Sequence, residues 1–196
     1  NVRAAEQRKI NPPIAQPVVR VHPQTGERRL DLLRWGLVPH WIKDLKETRQ
    51  PINARSETIA STPMFRDAYA RRRCLVPADL FYEWQVADGA KIPHAIARDD
   101  GEPLVFAGLW EGWRAPDGDV VRSFTIVTTS ACPALRHLHE RMPVVLEQPD
   151  WPLWLGEVTG DPGRLTKPSA AAFRTWRVST AVNNVRNDNA TLIEPI

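Results

Sequence analysis

Three short stretches carry side chains that could do chemistry, and they lie far apart in the chain. "PINARSET" (51–58) sets Asn53 and Arg55 two residues apart, so in an extended chain they point the same way. An amide there can orient a small polar group. A guanidinium can bind a phosphate, or simply pair with Glu57. "FYEW" (81–84) flanks Glu83 with Tyr82 and Trp84. In a strand Glu83 shares the face of Phe81, while Tyr82 and Trp84 share the other. A carboxylate beside large apolar rings tends to titrate high, which suits a proton donor near neutral pH. The competing reading is a glutamate at a strand end paired with an arginine. "LHERMP" (138–143) places His139 where a short helix is expected to end, before Pro143. His137 would not share a helical face with it. Pro143 stands where a His-Glu-x-x-His zinc motif needs its second histidine, so no metal site is expected. A lone histidine serves structure or proton transfer, and this stretch alone leaves both open. Cys74 and Cys132 fit no metal or redox spacing, and each reads as a buried free thiol.

A β-rich frame must position these groups. Residues 16–21 are apolar and β-branched, "HPQTGE" makes a turn, and residues 28–37 resume with alternating character, which predicts a hairpin. "STPMFRDAYARRR" reads as a helix capped by Thr62, with Pro63 at its first position. "CLVPADLFYEW" reads as extended. "HAIAR", "LVFAGLW" and "SFTIVTT" are further strands, separated by the turns "RDDGEP" and "RAPDGD". "CPALRHLHE" reads as a short helix opened by Pro133, and Asp150 with Pro152 starts another over "WPLWL". "WRVSTAVNNVRND" runs from a strand into a polar loop. There is no internal repeat, low-complexity stretch or linker. The expected class is α+β: a single β-rich domain over 1–196, a mixed barrel or sandwich with short helices outside.

Composition narrows the partners. A net charge of +3 and a pI of about 9.1 permit an anionic partner without requiring one. Eight tryptophans serve cores and stacking platforms equally well. No apolar run approaches the ~20 residues that span a bilayer, so no membrane association is expected. Asn189-Ala190-Thr191 matches a glycosylation sequon and reads as chance.

The ordered set "WGLVPHW", "INARSET", "RRRCLVPADLFYEW", "AGLWEGW", "TIVTTSA", "LHERMPVVL" and "VSTAVNNVRND" resembles the SOS response-associated peptidase (SRAP) family. The resemblance runs from about Trp35 to Ile196. It implies a single β-rich domain with a positively charged DNA groove, and a covalent crosslink to abasic sites in single-stranded DNA. It puts Asn53, Glu83 and His139 on catalytic positions, Arg55 on a phosphate-contacting one, and Thr128 on another polar position of the DNA site. It makes Trp41 part of an apolar wedge beside the lesion. It implies no cofactor, a monomer, and a cytoplasmic location, on the nucleoid if the source is bacterial.

The family's nucleophile is an N-terminal Cys exposed by removal of the initiator Met, and the sequence starts instead at Asn1. Two expectations follow: an N-terminal segment not included in the numbered sequence, which is favoured, or a variant without the nucleophile. Neither Cys74 nor Cys132 can substitute, because an internal Cys has no α-amine. An α-amine has a pKa near ~7.7–8.0, so an appreciable fraction is neutral at pH 7 and can attack the aldehyde of an open abasic sugar. A thiol on the same residue can then close a thiazolidine ring. Two other activities stay open at this point: a thiol peptidase acting at least on its own N-terminus, and a noncovalent module for single strands.

Overall fold

The computed structural model describes residues 15–45 and 48–196. The expected hairpin is present: β1 (Ala15–Val21) pairs antiparallel with β2 (Arg28–Trp35), Val21 opposite Arg28. A three-residue strand, β3 (Asn53–Arg55), and a one-and-a-half-turn helix, α1 (Arg66–Arg71), precede β4 (Arg73–Ala78). The stretch read as one extended run breaks at Asp79 and Leu80, so β4 and β5 (Phe81–Ala87) belong to different sheets. Next come β6 (Ala90–Arg98), β7 (Leu104–Arg114), β8 (Val120–Ser130) and β9 (Arg141–Pro143). Helix α2 (Trp151–Leu155) and β10 (Phe173–Arg177) complete the order.

The larger sheet runs β2-β1-β4-β7-β8-β3, and a parallel pairing of Arg34 and Trp35 with Ser123 and Phe124 joins β2 back to β8. That pairing closes β2, β1, β4, β7 and β8 into a five-stranded barrel. Alternate residues point into it, as period two requires: Val18, Leu33, Val76, Phe106, Phe124 and Ile126 are fully buried in one cluster. Trp35 stacks on Phe124 at 6.2 Å. The interior is tight at Gly108, where a Cβ would fall 2.8 Å from Cys74 Sγ and 2.9 Å from a Val76 methyl. On the outer face a second cluster, centred on Trp154, packs under α1 and α2.

The smaller antiparallel sheet, β10-β6-β5, covers one end of the barrel. Phe81 meets Phe106 edge-on at 5.8 Å and belongs with Ile96 to the interior cluster. Its other face carries Tyr82 and Ala95, under Val182 and Leu192.

Direct pairing of β7 with β8 extends from Arg114↔Val120 to Gly108↔Ile126. Beyond that the two strands separate, and residues 141–146 lie between them. Ala107 N–H donates to the Val144 carbonyl at 2.9 Å, Val144 N–H to Val127 at 2.9 Å, and Leu146 N–H to Val105 at 2.8 Å.

Two helix expectations are corrected. Residues 58–62 form turns, with Ser61 and Thr62 N–H both donating to the Thr58 carbonyl, and the helix begins only at Arg66 with no side-chain cap. Thr62 accepts from Phe65 and Arg66 through its carbonyl. The stretch opened by Pro133 is a run of turns. Leu135 and Leu138 both enter the interior cluster, and the chain must reverse there so that Glu140 can accept from Ala131 N–H. The helix over "WPLWL" is α2. Among the described residues no helix is long and apolar enough to cross a membrane.

Candidate active site

Four candidate side chains, those of Asn53, Glu83, Thr128 and His139, sit one or two residues beyond a residue in or against the interior cluster. Ile52 packs on that cluster and precedes Asn53; Phe81 precedes Glu83 by two; Ile126 precedes Thr128 by two; Leu138 precedes His139. The hydrophobic interior therefore draws four distant segments to one rim of the barrel, and each carries its polar group just past the buried residue. The backbone fixes the details. Trp35 Nε1–H donates to the Ile52 carbonyl at 2.9 Å, and Ile126 N–H to the same oxygen at 3.0 Å. β3 then lies parallel to β8 with Asn53 beside Ile126 and Arg55 beside Thr128. On β3 only Ala54, between Asn53 and Arg55, is buried.

Glu83 is half-buried on the barrel-facing side of β5, where Phe81 already packs. Burial pushes its carboxyl up to about 7; nearby His139 and the Trp84 main-chain N–H oppose the shift. It has no arginine or lysine partner among the described residues. Gln85, next on the same face of β5, donates to the His137 carbonyl at 3.5 Å and ties this strand to the turn that presents His139. His139 is exposed, and its Nδ1 accepts the Arg141 main-chain N–H at 3.0 Å.

Arg55 is exposed and has no ion-pair partner among the described residues. Glu57 pairs instead with Arg141, 84 positions on, through two bonds of 2.8 and 3.0 Å. The reading that joined Arg55 to Glu57 is thus replaced by a clamp between the "INARSET" and "HERMP" stretches. Arg141 joins the site without having stood out in the sequence. Its one signal was an arginine two residues after a candidate histidine, and nothing in sequence spacing names its partner.

Trp41 is not joined to this group by any described contact. It is 53% exposed, on a loop anchored toward the other end of β8. Val38 N–H donates to Ser123 Oγ at 2.8 Å, Trp113 Nε1–H to the Ile42 carbonyl at 2.7 Å, and Gln50 links Arg34 to Leu45. Ser123 and Thr128 are five residues apart on one strand, roughly 17 Å. Cys74 and Cys132 are free and buried, and burial pushes the Cys74 thiol far above its ordinary range.

The arrangement offers an acid poised near neutrality, a histidine beside it, an amide, and an exposed arginine with no ion-pair partner among the described residues. Such a set can exchange protons with a small polar ligand whose neighbour is anionic. A profile described as SOS response associated peptidase (SRAP) matches residues 2–185. The abasic site processing protein YoqW of Bacillus subtilis (strain 168) is 37% identical over 185 residues, covering 92% of this chain and 83% of that protein. The abasic site processing protein HMCES of Gallus gallus is 32% identical over 200 residues, covering 88% of this chain and 59% of that protein. A crystal structure of a protein from Bacteroides thetaiotaomicron aligns with a TM-score of 0.81 at 26% identity, covering 92% of this chain and 80% of that one.

Proposed function

This chain belongs to the SOS response associated peptidase family, and from that premise we propose that it processes abasic sites in single-stranded DNA by forming a covalent crosslink. The observation that carries the reading is Glu83: a half-buried carboxyl with no arginine or lysine partner among the described residues, held near pKa 7 beside His139. A structural ion pair would look different. A proton shuttle for aldehyde chemistry needs this poise.

The nucleophile would be the aminothiol of an N-terminal Cys, exposed by self-directed removal of the initiator Met; the numbered sequence does not contain it. The α-amine adds to the C1 aldehyde of the open sugar, water leaves, and a C=N bond remains. The thiol sulfur then bonds to that carbon while its proton passes to the nitrogen. One water is lost overall. Glu83 would move protons during ring opening and dehydration, and His139 would donate to the sugar oxygen. Asn53 would orient the amine or the sugar through its amide. Arg55 would bind the flanking phosphate, with Thr128 beside it. Trp41, on the loop whose Val38 is bonded to Ser123, would displace stacked bases and favour an unpaired strand. The protein would act as a monomer in the cytoplasm.

A denaturing gel with an abasic single strand tests this, because only a covalent product survives it. The chain starting at Asn1 should give no adduct. Extending it upstream to a free N-terminal Cys should give one, and acetylating that amine should abolish it. An adduct from the chain starting at Asn1 would sink the aminothiol mechanism.

A further inference from the structure

Glu57 is exposed, yet it is held firmly. Arg141 Nη1 donates to Oε1 at 2.8 Å and Nη2 to Oε2 at 3.0 Å, and this pairing holds the Glu57 carboxyl below its ordinary range. The same Nη2 donates to the Thr128 carbonyl at 2.6 Å and lies 3.3 Å from Thr128 Oγ1. The guanidinium is therefore locked between the turn after β3 and the end of β8. A planar fork with a bidentate carboxylate and a third acceptor leaves little freedom for the main chain that carries it.

That main chain sets the state of His139. The Arg141 N–H donates to His139 Nδ1 at 3.0 Å, while the Arg141 carbonyl lies 3.2 Å from the same nitrogen. The two contacts favour opposite tautomers. An Nδ1 that accepts puts the proton of the neutral ring on Nε2; an Nδ1 facing the carbonyl would carry it instead. Which wins depends on the tilt of the Arg141 backbone, held on one side by its pairing with Ser130 in β8 and on the other by the side-chain clamp. Among the described residues, the titratable groups placed beside the ring are Glu83 from β5 and, from its own turn, the chain neighbours His137 and Glu140.

We propose that Glu57 is a positioning residue: by anchoring Arg141 it holds His139 as an Nε2–H donor on the rim shared with Glu83. This deepens the function proposed above, and its catalytic meaning rests on that reading. It divides the work: His139 holds the sugar oxygen through an Nε2–H hydrogen bond and keeps its proton, and Glu83 is the group that exchanges one.

The tautomer can be read without DNA. The chain has five histidines, so a long-range proton–nitrogen spectrum at pH 8 shows five ring systems, and His139→Gln identifies the one that disappears. The wild-type His139 ring should show its unprotonated nitrogen at Nδ1. Glu57→Gln should relax it to a mixture. On protein carrying the N-terminal Cys, Glu57→Gln should slow adduct formation by about 10-fold to 100-fold, as misplacement of a reacting group does, without weakening binding to an intact single strand. A wild-type ring protonated at Nδ1, or a ring indifferent to Glu57→Gln, would overturn the proposal. A tautomer that responds as expected in a protein forming no adduct would uphold the lock and overturn the function instead.

Discussion

Glu83 and Glu111 are both withdrawn from water, and only one of them is given a guanidinium. Glu111, on β7, is 2% exposed, with Arg72 Nη2 at 2.6 Å and His40 Nδ1 at 3.4 Å. Its charge is matched, and through His40 it helps seat the loop carrying Trp41. Glu83 is less deeply buried, has no such cation among the described residues, and is held near pKa 7. Depth of burial therefore does not separate an ion-paired acid from one with a raised pKa here. The presence or absence of a committed positive partner does.

The sharpest test of that contrast is Glu83→Gln in protein carrying the N-terminal Cys. Gln keeps the shape but cannot exchange a proton near neutrality, so adduct formation should fall about 10²–10⁴-fold while affinity for an intact strand holds. The folded protein also retains a proton on Glu83 that the unfolded chain releases. Stability should therefore decline as pH rises from about 4.5 to about 7, by about 3 kcal/mol at most, and this component should vanish in Glu83→Gln. Urea titrations at pH 5 and pH 8 read it. Equal slopes in the two proteins would mean that Glu83 titrates normally.

Glu111→Gln should do the reverse. Arg72 would be left without its counter-charge, and stability should drop by about 3 kcal/mol, toward the low end for a broken buried pair because Arg72 still reaches solvent. The adduct rate of the remaining folded protein should change far less than in Glu83→Gln. A rate loss matching that of Glu83→Gln would erase the distinction between the two acids. The smallest effect belongs to Arg55→Ala. It should weaken single-strand binding evenly across sequences and lower the salt slope by about 1; a loss confined to one sequence would point to base reading.

Much of this was legible beforehand, for identifiable reasons. The strands show because alternation and turn chemistry are local. Glu83 shows because Phe81 on the same face announces where that face goes. The residues from Pro133 to Leu138 do not, since Leu135 and Leu138 suit a helix or a tight reversal equally, and only the demand that Arg141 reach β8 decides. The clamp between Glu57 and Arg141 was invisible for the same reason: their meeting depends on the opening between β7 and β8.

β8 is bonded to β7 and β9 on one side and to β2 and β3 on the other. Its inward residues Phe124 and Ile126 are continuous in phase with Thr128. A slip of one position would turn Thr125 and Val127 into the barrel and carry Thr128 to the outer face. The interior thus works as a frame check on the site. A molecule that misplaces Thr128 has also taken Phe124 and Ile126 out of its interior, so a shifted site and a broken core would be one error, removed together.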